Sequence, residues 1–126
     1  MPDIYESGED YLEAILMLKK ENEFVRSIDV AKKLDVSKPS VSRAMGILVE
    51  KGFITIGKAG IIELTQKGEE RAAKIFSRHE MLTEFLQKIT GVGKEQAEEN
   101  ACRIEHDIDE DIAKGIEKWM QKNRNL

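Results

Sequence analysis

Residues 26–56 constrain the fold of this 126-residue chain more than any other segment. Two short runs with helical apolar spacing are separated by a tight turn, and each run follows a serine suited to cap a helix, Ser27 and Ser37. Pro39 falls in the first turn of the second helix, where its missing N–H costs nothing, and Gly52 is suited to end that helix. This combination predicts a helix-turn-helix.

The helix-turn-helix has a predicted core and a predicted exposed end. Its apolar positions are Val30, Ala31, Leu34, Val41, Met45 and Leu48. They leave the N-terminal end of the second helix exposed, and a recognition helix presents such an end to base edges and phosphates. A helical packing unit that meets no nucleic acid is the alternative interpretation.

A β-hairpin is predicted directly after the second helix. Residues 53–56 and 61–65 are β-prone and flank the turn Gly57-Lys58-Ala59-Gly60. A helix-turn-helix followed by such a hairpin is a winged helix, and Lys58 at the tip is placed to touch a phosphate, although a lone loop lysine is more often only solvated. The candidate DNA-binding residues are Ser37, Lys38, Pro39, Ser40, Ser42, Arg43 and Lys58.

The charge of the chain is unevenly distributed. The net charge is −4, yet residues 24–68 carry eight basic and four acidic side chains. Residues 1–23 carry two basic and seven acidic side chains, and residues 69–126 carry ten and thirteen. A basic middle segment between acidic ends indicates that the middle meets phosphate.

Composition excludes several classes of protein. Hydrophobic residues make up 40% of the chain and charged residues 35%, which is typical of a soluble globular protein and not of a disordered one. No segment approaches the ~18 consecutive apolar residues of a membrane span. The N-terminus shows no secretory signal pattern. We therefore expect a cytoplasmic protein with no membrane partner, whose single cysteine forms no intrachain disulfide.

Three further helices are predicted after the hairpin. The first runs from Thr65 or Gln66 to Thr90 and is ended by Gly91, and the others cover residues 93–105 and 109–123. The long helix has an apolar stripe of Ala72, Ile75, Phe76, His79, Leu82, Leu86 and Ile89, and the last helix has Ile112, Ile116, Trp119 and Met120 on one side. A winged helix does not need these helices. We expect their apolar faces to pair with a second copy of the chain.

Side chains of the types that bind metals occur near both ends of the chain. Cys102, Glu105 and His106 fall within five consecutive positions, and on a helix they would share one face. The full candidate set, which comes from three predicted helices, is Asp10, Glu13, His79, Cys102, Glu105 and His106. Carboxylate, imidazole and thiolate ligands together indicate a divalent transition ion.

Each part of this set also has a simpler interpretation. Asp10 and Glu13 could be solvated acids near a helix N-terminus, and His79 could be a hydrogen-bonded core histidine. Cys102 could be a buried residue beside a surface Glu-His pair. A nucleophilic pair of Cys102 and His106 is geometrically possible, but no orienting group or oxyanion donor can be named, so catalysis is not expected.

Four segments together resemble the diphtheria toxin repressor family, which includes the shorter manganese transport regulators. They are residues 9–15, the helix-turn-helix with a wing ending at residues 64–68 (Leu-Thr-Gln-Lys-Gly), residues 78–82 (Arg-His-Glu-Met-Leu) and residues 101–106 (Ala-Cys-Arg-Ile-Glu-His). The resemblance covers essentially the whole chain. It implies a homodimer that binds palindromic double-stranded DNA operators when Fe(II) or Mn(II) is present; we also expect Co(II), Ni(II) or Zn(II) to bind in vitro.

The resemblance also implies roles for residues. The six candidate ligands match the family's metal-ligand positions, and Lys38, Pro39, Ser40, Ser42 and Arg43 match its recognition helix. Asp10 and Glu13 are similar to the manganese branch, whereas Cys102 is similar to the iron branch. Thr83 and Glu98 stand where the iron branch has an ancillary acid and a histidine, so that ancillary site does not carry over intact.

We therefore predict a mainly α fold with a small β-hairpin wing. Residues 1–65 form a winged helix-turn-helix and residues 66–126 a helical metal-binding and dimerisation domain. The predicted function is metal-dependent repression of metal homeostasis genes, with the metal linking the first helix to the C-terminal helices. Two alternatives stay open: a winged-helix repressor that responds to an organic ligand or to redox change at Cys102, and a metal-buffering or thiol enzyme.

Overall fold

The computed structural model describes residues 6–124, except for the side chain of Glu6. The described chain is mainly α-helical with one two-stranded antiparallel sheet, as predicted. In chain order the elements are α1 (Glu6–Glu21), α2 (Ser27–Leu34), α3 (Lys38–Glu50), β1 (Ile54–Ile56), β2 (Ile62–Leu64), α4 (Gln66–Thr90), α5 (Lys94–Ile104) and α6 (Glu110–Lys122). None of the described helices is both long and apolar enough to cross a membrane.

The chain forms two compact units, Met1–Lys74 and Ile75–Leu126, with the boundary inside α4. In the first unit the helix-turn-helix is built as predicted, with Asp35 in the left-handed conformation (φ 53°) between α2 and α3. The buried side chains of its three helices include Tyr11, Leu12, Ile15, Val30, Ala31, Val41, Met45 and Leu48. This core orients α3 so that its opposite face is exposed.

The hairpin packs on the same core. β1 and β2 pair antiparallel, with Ile54 opposite Leu64 and Ile56 opposite Ile62, and Ile54 and Ile62 are buried among the core residues. The backbone N–H of Ile62 donates to the carbonyl oxygen of Val25 at 2.8 Å. The segment before α2 is therefore joined directly to the second strand.

The predicted start of α2 was wrong by one residue. The N-cap of α2 is Arg26, whose backbone N–H donates to Asp29 Oδ2 at 2.8 Å. Because this carboxylate satisfies the N–H of Arg26, the predicted cap Ser27 is instead the first residue of the helix.

The start of α4 lies against the residues that directly precede β1. A Cβ atom on Gly68 would lie 1.9 Å from the backbone oxygen of Phe53, so only glycine fits at this position. Thr65 Oγ1 accepts a hydrogen bond from the N–H of Gly68 at 3.1 Å and donates to the carbonyl oxygen of Gly52 at 2.7 Å. These contacts explain why the wing ends in a Thr-x-x-Gly segment.

The second unit contains the rest of α4 with α5 and α6. Its buried side chains include Leu82, Ala97, Ala101, Ala113 and Met120. Several apolar side chains that were predicted to lie on helix stripes are at the surface of the single chain: Ile89 is 51% exposed, Ile112 54% and Trp119 37%. Phe85 packs edge-on against Trp119, with ring centroids 5.6 Å apart.

The end of α5 differs from the prediction. α5 stops at Ile104, Glu105 is its C-cap with near-helical backbone angles, and His106 lies in the following turn. The N–H of Asp107 donates to the carbonyl oxygen of Ile104 at 3.0 Å, a bond to the third preceding residue that tightens the helix end. α5 therefore ends one residue before the predicted Glu105, and His106 lies beyond the helix on which the three side chains would share a face.

Candidate metal centre and DNA-binding surface

The N-terminal end of α3 presents a row of exposed polar side chains. Ser37 caps the helix, since its Oγ accepts a hydrogen bond from the N–H of Ser40 at 3.3 Å. The hydroxyl of Ser37 also lies 2.9 Å from that of Ser40. The predicted contact residues Ser37, Lys38, Pro39, Ser40, Ser42 and Arg43 are all exposed. Two positive charges and three hydroxyl groups are thus available on one helix end.

The tip of the wing is held by a side chain from the helix-turn-helix. Lys58 is exposed, and the next two residues, Ala59 and Gly60, adopt positive φ angles of 60° and 73°. Arg26 Nε donates a hydrogen bond to the carbonyl oxygen of Ala59 at 2.9 Å. The residue that caps α2 therefore also restrains the turn that carries Lys58.

In the second unit, two imidazole rings meet one buried carboxylate. The side chain of Glu105 is 0% exposed. His79 Nδ1 lies 2.8 Å from Glu105 Oε2, and His106 Nε2 lies 3.3 Å from Glu105 Oε1. These three predicted ligands come from α4, from the end of α5 and from the turn after it. The fold thus brings together side chains that are 26 positions apart in the chain.

One oxygen of this cluster is incompletely satisfied. Glu105 Oε1 is buried and accepts no hydrogen bond from any residue that the structure describes. His106 Nε2 is within ion-pair distance of it but is not aligned as a donor. A buried carboxylate oxygen without a hydrogen bond lowers the stability of the fold unless a positive charge compensates it.

The cluster is held by neighbours on α4. Arg78 Nη1 donates to the backbone oxygen of Glu105 at 3.2 Å, and Arg78 Nη2 contacts Glu110 Oε2 at 3.0 Å. Thr83 Oγ1 donates to the backbone oxygen of His79 at 2.8 Å. Arg78 belongs to segment 78–82, which carries the resemblance, but no role was predicted for it because an arginine directly before a candidate ligand has no distinguishing pattern.

The remaining predicted ligands are Cys102, on α5 of the second unit, and Asp10 and Glu13, on α1 of the first unit. Cys102 is exposed on α5, one turn before Glu105. Asp10 and Glu13 belong to α1 in the first unit, where Asp10 is partly buried and Glu13 is 8% exposed. Because they are three positions apart on a helix, these two carboxylates share a face. The burial of Glu13 is unusual for a carboxylate that merely faces solvent.

A further acidic side chain lies beside His79. Glu98 Oε2 is 3.8 Å from His79 Nε2, so Glu98 approaches the ring nitrogen opposite the one that contacts Glu105. The sequence singled out Glu98 only as a departure from the iron branch. Its contact with His79 depends on the packing of α5 beside α4, which the sequence does not show.

The chemistry of the donors fits a divalent transition ion. Carboxylate oxygens are hard ligands suited to manganese, imidazole suits most later divalent ions, and thiolate favours softer ones. The incompletely satisfied oxygen of Glu105, with two imidazoles against the same carboxylate, is the arrangement that such an ion would stabilise.

Comparison with known families agrees with both parts of the molecule. Residues 3–60 match the N-terminal DNA-binding domain of iron-dependent repressors, and residues 65–125 match the metal-binding and dimerisation domain of the same repressors. The chain belongs to the iron-dependent repressor family. The resemblance inferred from four sequence segments is thereby confirmed, and so is the class of protein: a metal-dependent, DNA-binding transcriptional repressor with its own dimerisation domain.

Individual relatives of this repressor differ in length. An HTH-type transcriptional regulator of Methanocaldococcus jannaschii is 32% identical over 93% of this chain and 94% of its own. The iron-dependent repressor IdeR of Mycobacterium tuberculosis is 28% identical over 95% of this chain, and the chain spans only 52% of it. The solved structure of the manganese regulator SloR superposes with a TM-score of 0.82 at 25% identity, covering 90% of this chain and 53% of SloR.

Proposed function

We propose that this repressor binds Fe(II) or Mn(II) and that the metal-bound homodimer binds palindromic operators of metal homeostasis genes. The observation that carries the proposal is the buried Glu105 carboxylate, which contacts two imidazoles and keeps one oxygen without a hydrogen bond from the described residues. Iron and manganese are supported by the names of IdeR and SloR. The same donor types would also accept Co(II), Ni(II) or Zn(II) in vitro.

Six side chains hold the metal in this proposal: Asp10, Glu13, His79, Cys102, Glu105 and His106. Glu105 supplies the central charge, and His79 and His106 supply imidazole nitrogens beside it. Cys102 adds a thiolate from the preceding turn of α5. Asp10 and Glu13 add carboxylates from the first unit.

The proposed switch follows from where α1 lies. α1 packs against α2 and α3 within the first unit, and it also carries Asp10 and Glu13. Any restraint on those two carboxylates therefore restrains the helix on which the helix-turn-helix is built. A bound ion would supply positive charge that compensates the carboxylates that ligate it. The ordered state is then favoured as metal concentration rises.

The DNA-binding side of the proposal rests on the exposed end of α3 and on the wing. In a two-fold dimer, two such helices read two half-sites of a palindrome. The contacts are assigned to Ser37, Lys38, Pro39, Ser40, Ser42, Arg43 and Lys58. Lys38, Arg43 and Lys58 supply charge for phosphates or guanine edges, and the serines supply hydroxyl groups.

The division of labour along the chain is part of the same proposal. We assign residues 1–65 to DNA binding and residues 66–126 to metal binding and dimerisation. Repressors of this family are not enzymes, and we propose that this chain has no catalytic role. We also place it in the cytoplasm, where its operators would be.

A metal titration coupled to DNA binding tests the proposal. An operator is first selected from random double-stranded DNA with Mn(II)-loaded protein, and its affinity is then measured by fluorescence anisotropy with chelator, Fe(II) or Mn(II). We expect binding at least about tenfold tighter with metal, given coupling energies of roughly 1–3 kcal/mol in allosteric proteins. Equal affinity with chelator and with metal would show the proposal to be wrong.

A matched pair of variants separates the proposal from its main alternative. Glu105→Gln removes the buried charge, whereas Glu99→Gln removes an exposed charge from α5, the helix that Glu105 caps. Only Glu105→Gln is expected to abolish the metal dependence. If Glu105→Gln retained the full response, the effector would act elsewhere, for example as an organic ligand or as an oxidant of Cys102.

A further inference from the structure

Arg78 connects three parts of the second unit through one partly buried guanidinium group. Its side chain is 17% exposed. Nη1 donates to the backbone oxygen of Glu105, and Nη2 pairs with the carboxylate of Glu110 at the start of α6. A planar guanidinium holds two acceptors in a fixed geometry, which a lysine ammonium cannot reproduce.

Arg78 and His79 contact the backbone and the side chain of Glu105, respectively. Arg78 bonds to the backbone carbonyl of Glu105, while His79 contacts its side-chain carboxylate. The backbone carbonyls at the end of an α-helix lack partners within the helix, so the bond from Arg78 satisfies one of them. The position of the Glu105 backbone therefore depends on the same segment of α4 that presents His79.

The second contact of Arg78 closes the turn between α5 and α6. Glu110 lies in the first turn of α6, where the helix dipole favours a negative charge. His106 lies inside this turn, after the end of α5. With Glu105 held at one end and Glu110 at the other, Arg78 limits the conformations open to His106.

We infer that Arg78 is a positioning residue of the metal centre: it does not touch the metal, but fixes the turn that presents Glu105 and His106. This inference rests on the proposed role of those two side chains as ligands. Residues that orient metal ligands typically contribute roughly 10- to 100-fold to metal affinity. We expect an effect of that size from the loss of Arg78.

The direction of the change in metal affinity distinguishes a positioning role of Arg78 from a purely electrostatic one. Removing a positive charge beside a cation site should tighten metal binding, because like charges repel. If Arg78 positions the ligands, its loss should instead weaken binding. Arg103 offers a matched control, since it is an exposed arginine on α5 beside Cys102.

The test is a Co(II) titration of the full-length apo-protein, read by absorption. Co(II) is the probe because its d–d bands report coordination geometry and a thiolate ligand adds a charge-transfer band. The proteins compared are wild type, Arg78→Gln, Arg78→Lys and Arg103→Gln, each checked for folding by circular dichroism and titrated well below its Tm. Roughly 10- to 100-fold weaker binding is expected for Arg78→Gln, with altered d–d bands.

Arg78→Lys keeps the positive charge but cannot donate to two acceptors in a fixed geometry. Its Co(II) affinity should therefore lie between those of Arg78→Gln and wild type. Arg103→Gln should bind Co(II) as tightly as wild type or slightly more tightly. If Arg78→Gln does not fold, Arg78→Lys decides alone, because its charge is unchanged.

Two outcomes would overturn the inference: Co(II) affinity in Arg78→Gln equal to or tighter than wild type, or a lower Tm of the apo-protein with unchanged affinity. Failure of the proposed function looks different. In that case wild type itself would not bind Co(II), Fe(II) or Mn(II) at this cluster.

Discussion

The DNA-facing surface of the first unit and the ligand cluster of the second unit are built on opposite principles. The side chains at the start of α3 are exposed, and Ser37 and Ser40 already bond to each other. Glu105 is buried, with one oxygen that the described residues leave without a hydrogen bond. Exposed charges keep their water and are screened by salt, so each is individually weak. A buried carboxylate is strongly dependent on its compensating charge.

This difference predicts how each region responds to substitution. A polyanion is bound by many weak contacts, each of which releases counterions, so losses on the DNA-facing surface should be graded. A metal ion is bound by few ligands at fixed positions, so losses in the ligand cluster should be abrupt.

The largest effect is expected from Glu105→Gln. The substitution replaces the central charged ligand by a neutral amide, so Mn(II) affinity should fall by more than the roughly 100-fold typical of a lost outer-shell partner. Isothermal titration calorimetry of the apo-protein measures this directly, with Glu99→Gln as the control. A loss of less than tenfold would mean that the buried cluster is not the main metal site, and the contrast between the regions would disappear.

A smaller, graded effect is expected from Arg43→Ala. If Arg43 reaches a base edge, its loss costs about 1–3 kcal/mol of operator affinity in the metal-loaded protein. Mn(II) affinity should stay unchanged, because Arg43 is exposed on α3 and is not one of the proposed ligands. Lys118→Ala, an exposed charge on α6, is the control. A parallel fall in metal affinity would contradict the separation of the two regions.

A weaker effect is expected at the wing. Lys58→Ala should reduce operator affinity only a few-fold and lower the salt dependence of binding by about one counterion. Because Arg26 restrains the turn through Ala59, Arg26→Gln should reduce the benefit of Lys58. A double-mutant cycle measures this coupling. Strictly additive effects would show that Arg26 contributes to binding without positioning the wing.

The smallest effect on operator affinity is expected from Ser37→Ala. Loss of the helix cap should lower the free energy of unfolding by about 1 kcal/mol, measured by urea denaturation of the apo-protein. Ser37→Thr retains a capping hydroxyl and should recover most of this stability. Mn(II) affinity should not change for either variant. An unchanged unfolding free energy in Ser37→Ala would indicate that Ser40 or solvent replaces the cap.

Local signals explain where prediction from sequence succeeded. The cap at Ser37, the proline at position 39 and the glycine-bounded turn were read correctly because each depends on a few neighbouring residues. The start of α2 was misplaced by one residue because Asp29 satisfies the N–H of Arg26. Spacing alone does not show which backbone N–H a side chain satisfies.

The candidate ligands illustrate the limit of local reasoning. Cys102, Glu105 and His106 were singled out from residue type and from the face that they would share on a helix, whereas α5 ends at Ile104. The contact between His79 and Glu105 spans 26 positions and depends on how α4 packs beside α5. Periodicity shows which face of each helix is apolar, but it contains no information on which polar groups meet across the packed faces.

The sequence by itself determined the helix-turn-helix, the hairpin, the long helix that follows and the residue types of a metal site, because these depend on short-range spacing and on side-chain chemistry. Only the tertiary structure decided that Glu105 is buried with an incompletely satisfied oxygen, that Arg78 holds its backbone and that Arg26 restrains the wing. These features depend on distances between segments remote in the chain, and such distances are set by packing of the core.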